Sequence, residues 1–291
     1  MENVYLYGLG ANLAFALGSQ VFTIYARKIS SAWMNCFKAL IGLMGFGLFV
    51  SLFSTWHSID LKFFLLFFTS GFIGLGVGDI FLLKAFSKMG PGRTLMLFGF
   101  QPLIIGILSY FIFGQVIDSM KFWAILFFIL CLGTFSLESF KKKGHWDISS
   151  ISIAFIGMSL DAIGVIITRY SFDHNPTLSA MEGNFHRCIG ALSVFILLSI
   201  FKPFDFIAKW KTQKSFDKKM LIFGSLLGTF LSLALYLKAM QTAHLATLSG
   251  IAITGTIFSS LFESIIEKKW PSRYLLMAFV FFLCGMKFLI L

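Results

Sequence analysis

Residues 71–118 read GFIGLGVGDIFLLKAFSKMGPGRTLMLFGFQPLIIGILSYFIFGQVID. An apolar run from about Phe63 to Ala85 meets a basic break containing Lys84, Lys88, Gly90, Pro91, Gly92 and Arg93. A second apolar run follows from Leu95 to Phe113, with Gln101-Pro102 inside it. Each run is about 20 residues long, enough to cross ~30 Å of hydrocarbon at ~1.5 Å per residue. The stretch therefore reads as a glycine-lined membrane hairpin. Asp79 and Gln101 lie within its runs, where a polar group is costly unless it faces a partner or a water-filled cavity. A similar hairpin returns from Gly224 as GSLLGTFLSLALYLKAMQTAHLATLSGIAITGTIFSSLFESIIEKKWPS.

The whole chain suits these hairpins. Of its 291 residues 57% are hydrophobic and 13% are charged, about half the charge usual in a soluble domain. That composition belongs to a polytopic membrane protein with little extramembrane mass. The net charge of +11 does not argue for nucleic acid, because the basic residues cluster at the ends of apolar runs, where headgroups and topology account for them. Cys36, Cys131, Cys188 and Cys284 fall inside apolar runs and read as small buried hydrophobes, with no disulfide expected. The opening MENVYLYGLG has no basic n-region, so no signal peptide is expected.

Ten spans are expected, at about 4–24, 32–54, 63–85, 94–113, 121–138, 149–170, 179–201, 220–240, 244–265 and 273–291, giving an all-α integral membrane protein. The longest connection, LSIFKPFDFIAKWKTQKSFDKK, sets Phe204, Phe206 and Trp210 among lysines and reads as an amphipathic surface segment or a solvated linker. The spans repeat. An offset of 154 pairs Gly74 with Gly228, Leu83-Lys84-Ala85 with Leu237-Lys238-Ala239, Ala124 with Ala278, and Phe127-Phe128 with Phe281-Phe282. Near the start of each half the offset shrinks to 148, pairing Ser31-Ala32 with Ser179-Ala180 and Ile41-Gly42 with Ile189-Gly190. Five spans per unit is odd, so the two copies, residues 1–140 and 145–291, are expected to be inverted. Inverted repeats mark secondary transporters, whose substrate site lies between the halves near the midplane.

Helical spacing marks the inward faces. Gly10, Ala14 and Gly18 form one small-residue seam; Asn35, Lys38, Gly42 and Gly45 share another stripe. Gly74 to Gly78 and Gly224 to Gly228 are both GxxxG, and Gly157, Asp161, Gly164 and Thr168 line a face of the sixth span. Small residues admit close helix approach, so these faces are expected to pack inward while Phe and Leu face lipid. Seventeen Lys and Arg residues fall on one side of the ten-span topology and five on the other. The positive-inside rule then puts both termini outside the cytoplasm, in a multi-pass protein of the cell (inner) membrane.

Eight polar residues are the candidate substrate contacts. Asp79 and Asp161 are the acids deepest in apolar runs and suit a proton or a substrate cation. Lys38 and Arg187 stand at matching places in the two halves, as do Asn35 and Asn184. Either cation suits a carboxylate or phosphate, Arg in a bidentate fork; either could instead neutralise Asp79 or Glu182. Glu182 and His186, spaced i, i+4, can meet on one turn, and a His that titrates near neutrality can couple to protons. Glu182 in the headgroup zone is the competing reading. Two such ligands with no third nearby make no metal site. Gln101-Pro102 can open a kink that exposes carbonyls to a cavity, or form a plain packed kink. Thr256, Ser260 and Glu263 form a polar stripe whose deep end can line the pathway, with Glu263 near the interface.

The small-residue first span, Lys38 with its counterpart Arg187, GDIFLLKAFSKMGPGRTLM at 78–96, and Pro102 together resemble the drug/metabolite transporter superfamily, in particular its ten-helix EamA-type members built from two EamA repeats. The resemblance covers essentially the whole chain. It implies a secondary active transporter, an exporter, moving small metabolites, amino acids or drugs by alternating access with proton coupling or exchange. It implies no cofactor, and a chain with both halves can act as a monomer or a homodimer. Departures are Thr256 where the family usually has a ninth-span Pro, Gln115 near the family's fourth-span Glu, and termini opposite to the family's frequent orientation. Two rival readings exist. Gly76-Val77-Gly78-Asp79 reads G-x-G-D, as in intramembrane aspartyl proteases, where two carboxylates share a proton; but the second acid, Asp161, follows the motif rather than preceding it. The other rival is a non-transporting membrane scaffold, in which no intramembrane charge matters.

Overall fold

The computed structural model describes residues 2–113, 119–143, 147–201, 203–242, 245–268 and 270–290. Every regular element among them is a helix. The helices are α1 (Glu2–Lys28), α2 (Ser31–Phe53), α3 (Leu61–Met89), α4 (Pro91–Phe98), α5 (Gln101–Phe113), α6 (Ser119–Lys143), α7 (Ile148–Asp173), α8 (Ala180–Phe201), α9 (Phe206–Thr212), α10 (Ser215–Gln241), α11 (Leu245–Glu267) and α12 (Arg273–Ile290). Six of them, α1, α2, α3, α7, α8 and α10, are long and apolar enough to cross a membrane. Gln115, Lys202 and Lys269 lie outside the described residues.

Local chemistry sets the boundaries. The Ser30 hydroxyl accepts from Trp33 N–H at the start of α2, and the Asp147 carboxylate accepts from Ser150 N–H at the start of α7; each satisfies an orphan donor of a first turn. Gly90, at φ +88°, ends α3, and Pro91 opens α4. Only glycine adopts that backbone cheaply, and proline at the first helical position loses no hydrogen bond. The expected kink at Gln101-Pro102 is a complete break one step earlier. Helix α4 ends at Phe98, turns through Gly99 and Phe100, and α5 restarts at Gln101. Proline is tolerated in the first turn of a helix, where its missing N–H would have no helical partner, so α5 can restart just ahead of Pro102.

Each glycine-rich run loosens its helix. Residues Gly71–Gly78 of α3 and Leu226–Leu231 of α10 wind as π-helix, a rare form found frequently at functional sites. Glycine lets these segments touch neighbouring backbones. A Cβ at Gly71 would collide with the Arg187 carbonyl, and one at Gly228 would meet Gly18 Cα. The loosened segments are exchanged between the halves: that of α3 packs on α7 and α8, and that of α10 on α1 and α2. Helices α6 and α12 pair with each other. There Phe128 meets Phe282, its equivalent at offset 154, at 6.0 Å between centroids. Like residues meeting like is the mark of a two-fold contact.

The polar faces turn inward, as the packing of apolar helices in lipid requires, while Leu6, Leu48, Ile200 and Phe201 remain exposed around the outside. The segment expected to be amphipathic includes α9, and its aromatic face is stacked on the protein. Phe206 lies 5.3 Å from Trp33, Trp210 lies 5.0 Å from Phe37, and the Trp33 indole donates to Phe206 O at 3.1 Å. Lys211, Lys214 and Lys219 are left at the surface, and Lys218 lies over the Trp210 ring.

Candidate functional site

A cavity of about 170 Å³ lies where both halves meet. A void of about 150 Å³ holds benzene in a soluble protein, so this one admits a small metabolite. The first half supplies Lys38 from α2, Asp79 from α3 and Gln101 from α5. The second supplies Asp161 from α7, Arg187 from α8 and Tyr236 from α10. Phe15, Leu82, Leu95 and Phe98 add an apolar wall.

Lys38 Nζ donates to Asp79 Oδ2, and both residues are almost wholly buried. The pair neutralises two charges that would each be costly alone. Lys38 also lies 5.4 Å from the Phe22 ring centroid, a cation–π contact that further offsets its burial. Of the two pairings open to Lys38, then, the ion pair with Asp79 is the one formed. Asp161 Oδ2 accepts from Gln101 Nε2 at 2.8 Å. The break before α5 is what points Gln101 across the cavity. The two acids hydrogen-bond to separate partners and not to each other, whereas a protease dyad requires a shared proton.

Arg187 is 1% exposed. Its Nε donates to Ser70 Oγ at 3.1 Å, and Ser70 donates to Gly164 O at 2.7 Å. Close approach at Gly71 allows this, since the Arg187 backbone lies against Cα of that glycine. The guanidinium is thus oriented from behind and makes no ion pair among the described residues.

Asn35 stands behind this site. Its Nδ2 donates to Leu75 O at 2.9 Å and Gly76 O at 2.8 Å, carbonyls of the π-helical wall whose ordinary helical partners are displaced. Asn184 has a parallel contact in the second half, donating to Leu233 O at 2.9 Å just beyond the loosened segment. Asn35 borders only a small void beside the main cavity, with Lys38 and Asp79.

Glu182 and His186 do not line the cavity. Glu182 Oε2 accepts from Ser179 N–H at 2.9 Å, and Ser179 Oγ accepts from Glu182 N–H at 3.3 Å. That reciprocal pair is a capping box, legible in the S-x-x-E spacing of Ser179 to Glu182. Glu182 also receives His57 N–H at 2.7 Å, fastening the loop before α3 to the start of α8. Instead of meeting Glu182, His186 packs edge-on against Phe64 at 5.4 Å and Phe185 at 5.7 Å. The i, i+4 spacing is real, but the cap at Ser179 claims the carboxylate.

The polar stripe of α11 divides. Thr256 lines the cavity, and Glu263 Oε2 receives Gly92 N–H at 2.8 Å at the start of α4, where an acid favours the helix dipole. Sequence reasoning passed over Ser70 and Tyr236. The repeat offers the signal for Tyr236: at offset 154 it corresponds to Leu82, and both positions line the cavity. Ser70 lies just ahead of the first loosened segment, with nothing in its spacing to single it out.

Apolar helices around a charged internal cavity define a multi-pass integral membrane protein of transporter type. The EamA-like transporter family matches residues 3–137 and 148–291, and the chain belongs to it. A WAT1-related chloroplastic protein of Arabidopsis thaliana is 22% identical over 186 residues, 62% of this chain and 44% of its own. The chain thus matches under half the length of that curated relative. One solved crystal structure superposes over 99% of this chain and 96% of its own with a TM-score of 0.68 at 12% identity, a likeness of fold alone.

Proposed function

We propose that the chain is a ten-span secondary transporter whose two inverted five-helix repeats, residues 1–140 and 145–291, alternately expose the central cavity to the two sides of the cell membrane. The carrying observation is that both halves converge on one buried site with two acids and two bases. A scaffold has no use for such costly charges, whereas a moving site between repeats does. Lys38, Asp79, Gln101, Asp161 and Arg187 hold a small polar metabolite; Asn35 shapes the wall behind them. Glu182 and His186 act at the end of α8, outside the substrate contacts. The reading favours export, with both termini non-cytoplasmic because the basic residues gather on the opposite side.

Metabolite profiling of cells and medium tests this. Wild type is compared with the Arg187→Ala, Asp161→Asn double variant at equal membrane level. A metabolite accumulating in the medium only with wild type is the expected result. A profile unchanged between wild type, double variant and empty vector, in a host fed with a broad metabolite extract, overturns the reading.

A further inference from the structure

The connection from α8 to α10 carries chemistry that the cavity does not use. Helix α9 divides its side chains. Phe206 and Trp210, one turn apart, stack on Trp33 and Phe37 of α2. Ile207 and Lys211, also one turn apart, are exposed instead. Lys214, exposed as well, caps the start of α10. Phe216, Lys219 and Phe223 then follow at helical spacing, all three exposed. Residues 207–223 thus set three exposed lysines among three large exposed apolar side chains. The one acid in this stretch, Asp217, accepts from Lys28 Nζ at 2.6 Å and from Tyr25 Oη at 2.7 Å, so α1 already neutralises it. Lys211, Lys214 and Lys219 make no ion pair among the described residues.

A soluble anion would satisfy these lysines and leave Ile207, Phe216 and Phe223 in water. A hydrocarbon chain alone would cover the rings and leave the lysines bare. A phospholipid with a net negative headgroup does both. We propose that the elbow between α9 and α10 is a binding site for an anionic phospholipid of the leaflet it faces, the headgroup on Lys211, Lys214 and Lys219 and the acyl chains against Phe216 and Phe223. Lysine stems lie along apolar surface while the ammonium stays at headgroup level. Each lysine close to an anionic membrane surface strengthens attachment about fivefold. The site bears on the architecture too. Helix α9 leads into the second half and leans on α2 of the first, so a lipid held here steadies a contact between the halves. The inference needs only the membrane character of the chain and stands apart from the transport cycle proposed above.

The test is native mass spectrometry of the purified full-length protein in detergent, with an equimolar mixture of phosphatidylglycerol and phosphatidylcholine of identical chains. Wild type is expected to retain phosphatidylglycerol at least about tenfold more tightly, and the preference should shrink as salt is raised and the Debye length falls. The Lys211→Gln, Lys214→Gln, Lys219→Gln variant is expected to lose most of that preference. A charge-matched control, Lys84→Gln, Lys88→Gln, Arg273→Gln, removes three exposed cations from the same side of the membrane and should keep it. Glycerol 3-phosphate, which has the charge without the chains, should not displace the bound lipid. Equal retention of the two lipids by wild type overturns the inference, and this comparison stands even where a variant does not fold. An equal loss in the control variant overturns it as well, by showing a diffuse surface charge in place of a site. Displacement by glycerol 3-phosphate does the same, by showing a site for soluble anions.

Discussion

At the scale of single residues, the Lys38–Asp79 pair separates structure from recognition. Both side chains are buried, and each is the other's counter-ion. Removing one partner of such a pair strands the remaining charge and costs about 3–5 kcal/mol, while removing both is far milder. Lys38→Met alone is therefore expected to lower the unfolding temperature in detergent sharply, and the Lys38→Met, Asp79→Leu double variant to recover most of the loss. A double variant no more stable than the single would show that the pair is not what balances these charges. The same scale shows where spacing misleads. Glu182 and His186 are correctly placed to meet along a helix, yet the unpaired N–H groups at the start of α8 take the carboxylate first. Such a competition is visible in sequence only when the S-x-x-E pattern is weighed beside the i, i+4 one.

At the scale of elements, the π-helical segments carry the architecture. Gly71–Gly78 sits against α7 and α8 with no side chain between the backbones. A methyl group at Gly71 would overlap the Arg187 carbonyl, which is backbone and cannot rotate away. Gly71→Ala is expected to destabilise the protein by about 1–3 kcal/mol, the usual cost of overpacking, and to disturb Arg187 with it. Gly133→Ala on α6, with open space where the methyl would sit, is the matched control. Equal unfolding temperatures for the two variants would refute the close-packing argument. The glycine runs and GxxxG spacings were legible in the sequence as tight seams. Their winding was not, because a π turn depends on what grips the displaced carbonyls, and Asn35 arrives from 40 residues away.

At the scale of the molecule, the uneven distribution of basic residues predicts an orientation. Cysteine substituted for Lys211, exposed on α9, should react with a membrane-impermeant maleimide only after the cells are opened. Cysteine substituted for Lys62, at the start of α3, should react in intact cells. The reverse pattern would place the termini in the cytoplasm. Cys36, Cys131 and Cys188 are buried, and the half-buried Cys284 is replaced by serine to remove background.

Much of the protein is written linearly. Apolar runs of membrane length, the basic residues that bound them, the half-chain offset and the intramembrane charges are all local or periodic properties, and they sufficed for an all-helical membrane protein with candidate residues on inward faces. The family match over both halves agrees with that reading. Pairing is another matter. That Lys38 pairs with Asp79, that Gln101 reaches Asp161, and that Glu182 also holds the His57 loop depend on which helices become neighbours. Those contacts join residues 41 to 125 positions apart. Buried charge is balanced by whatever lies within a few ångströms in space, and only the tertiary structure decides what that is.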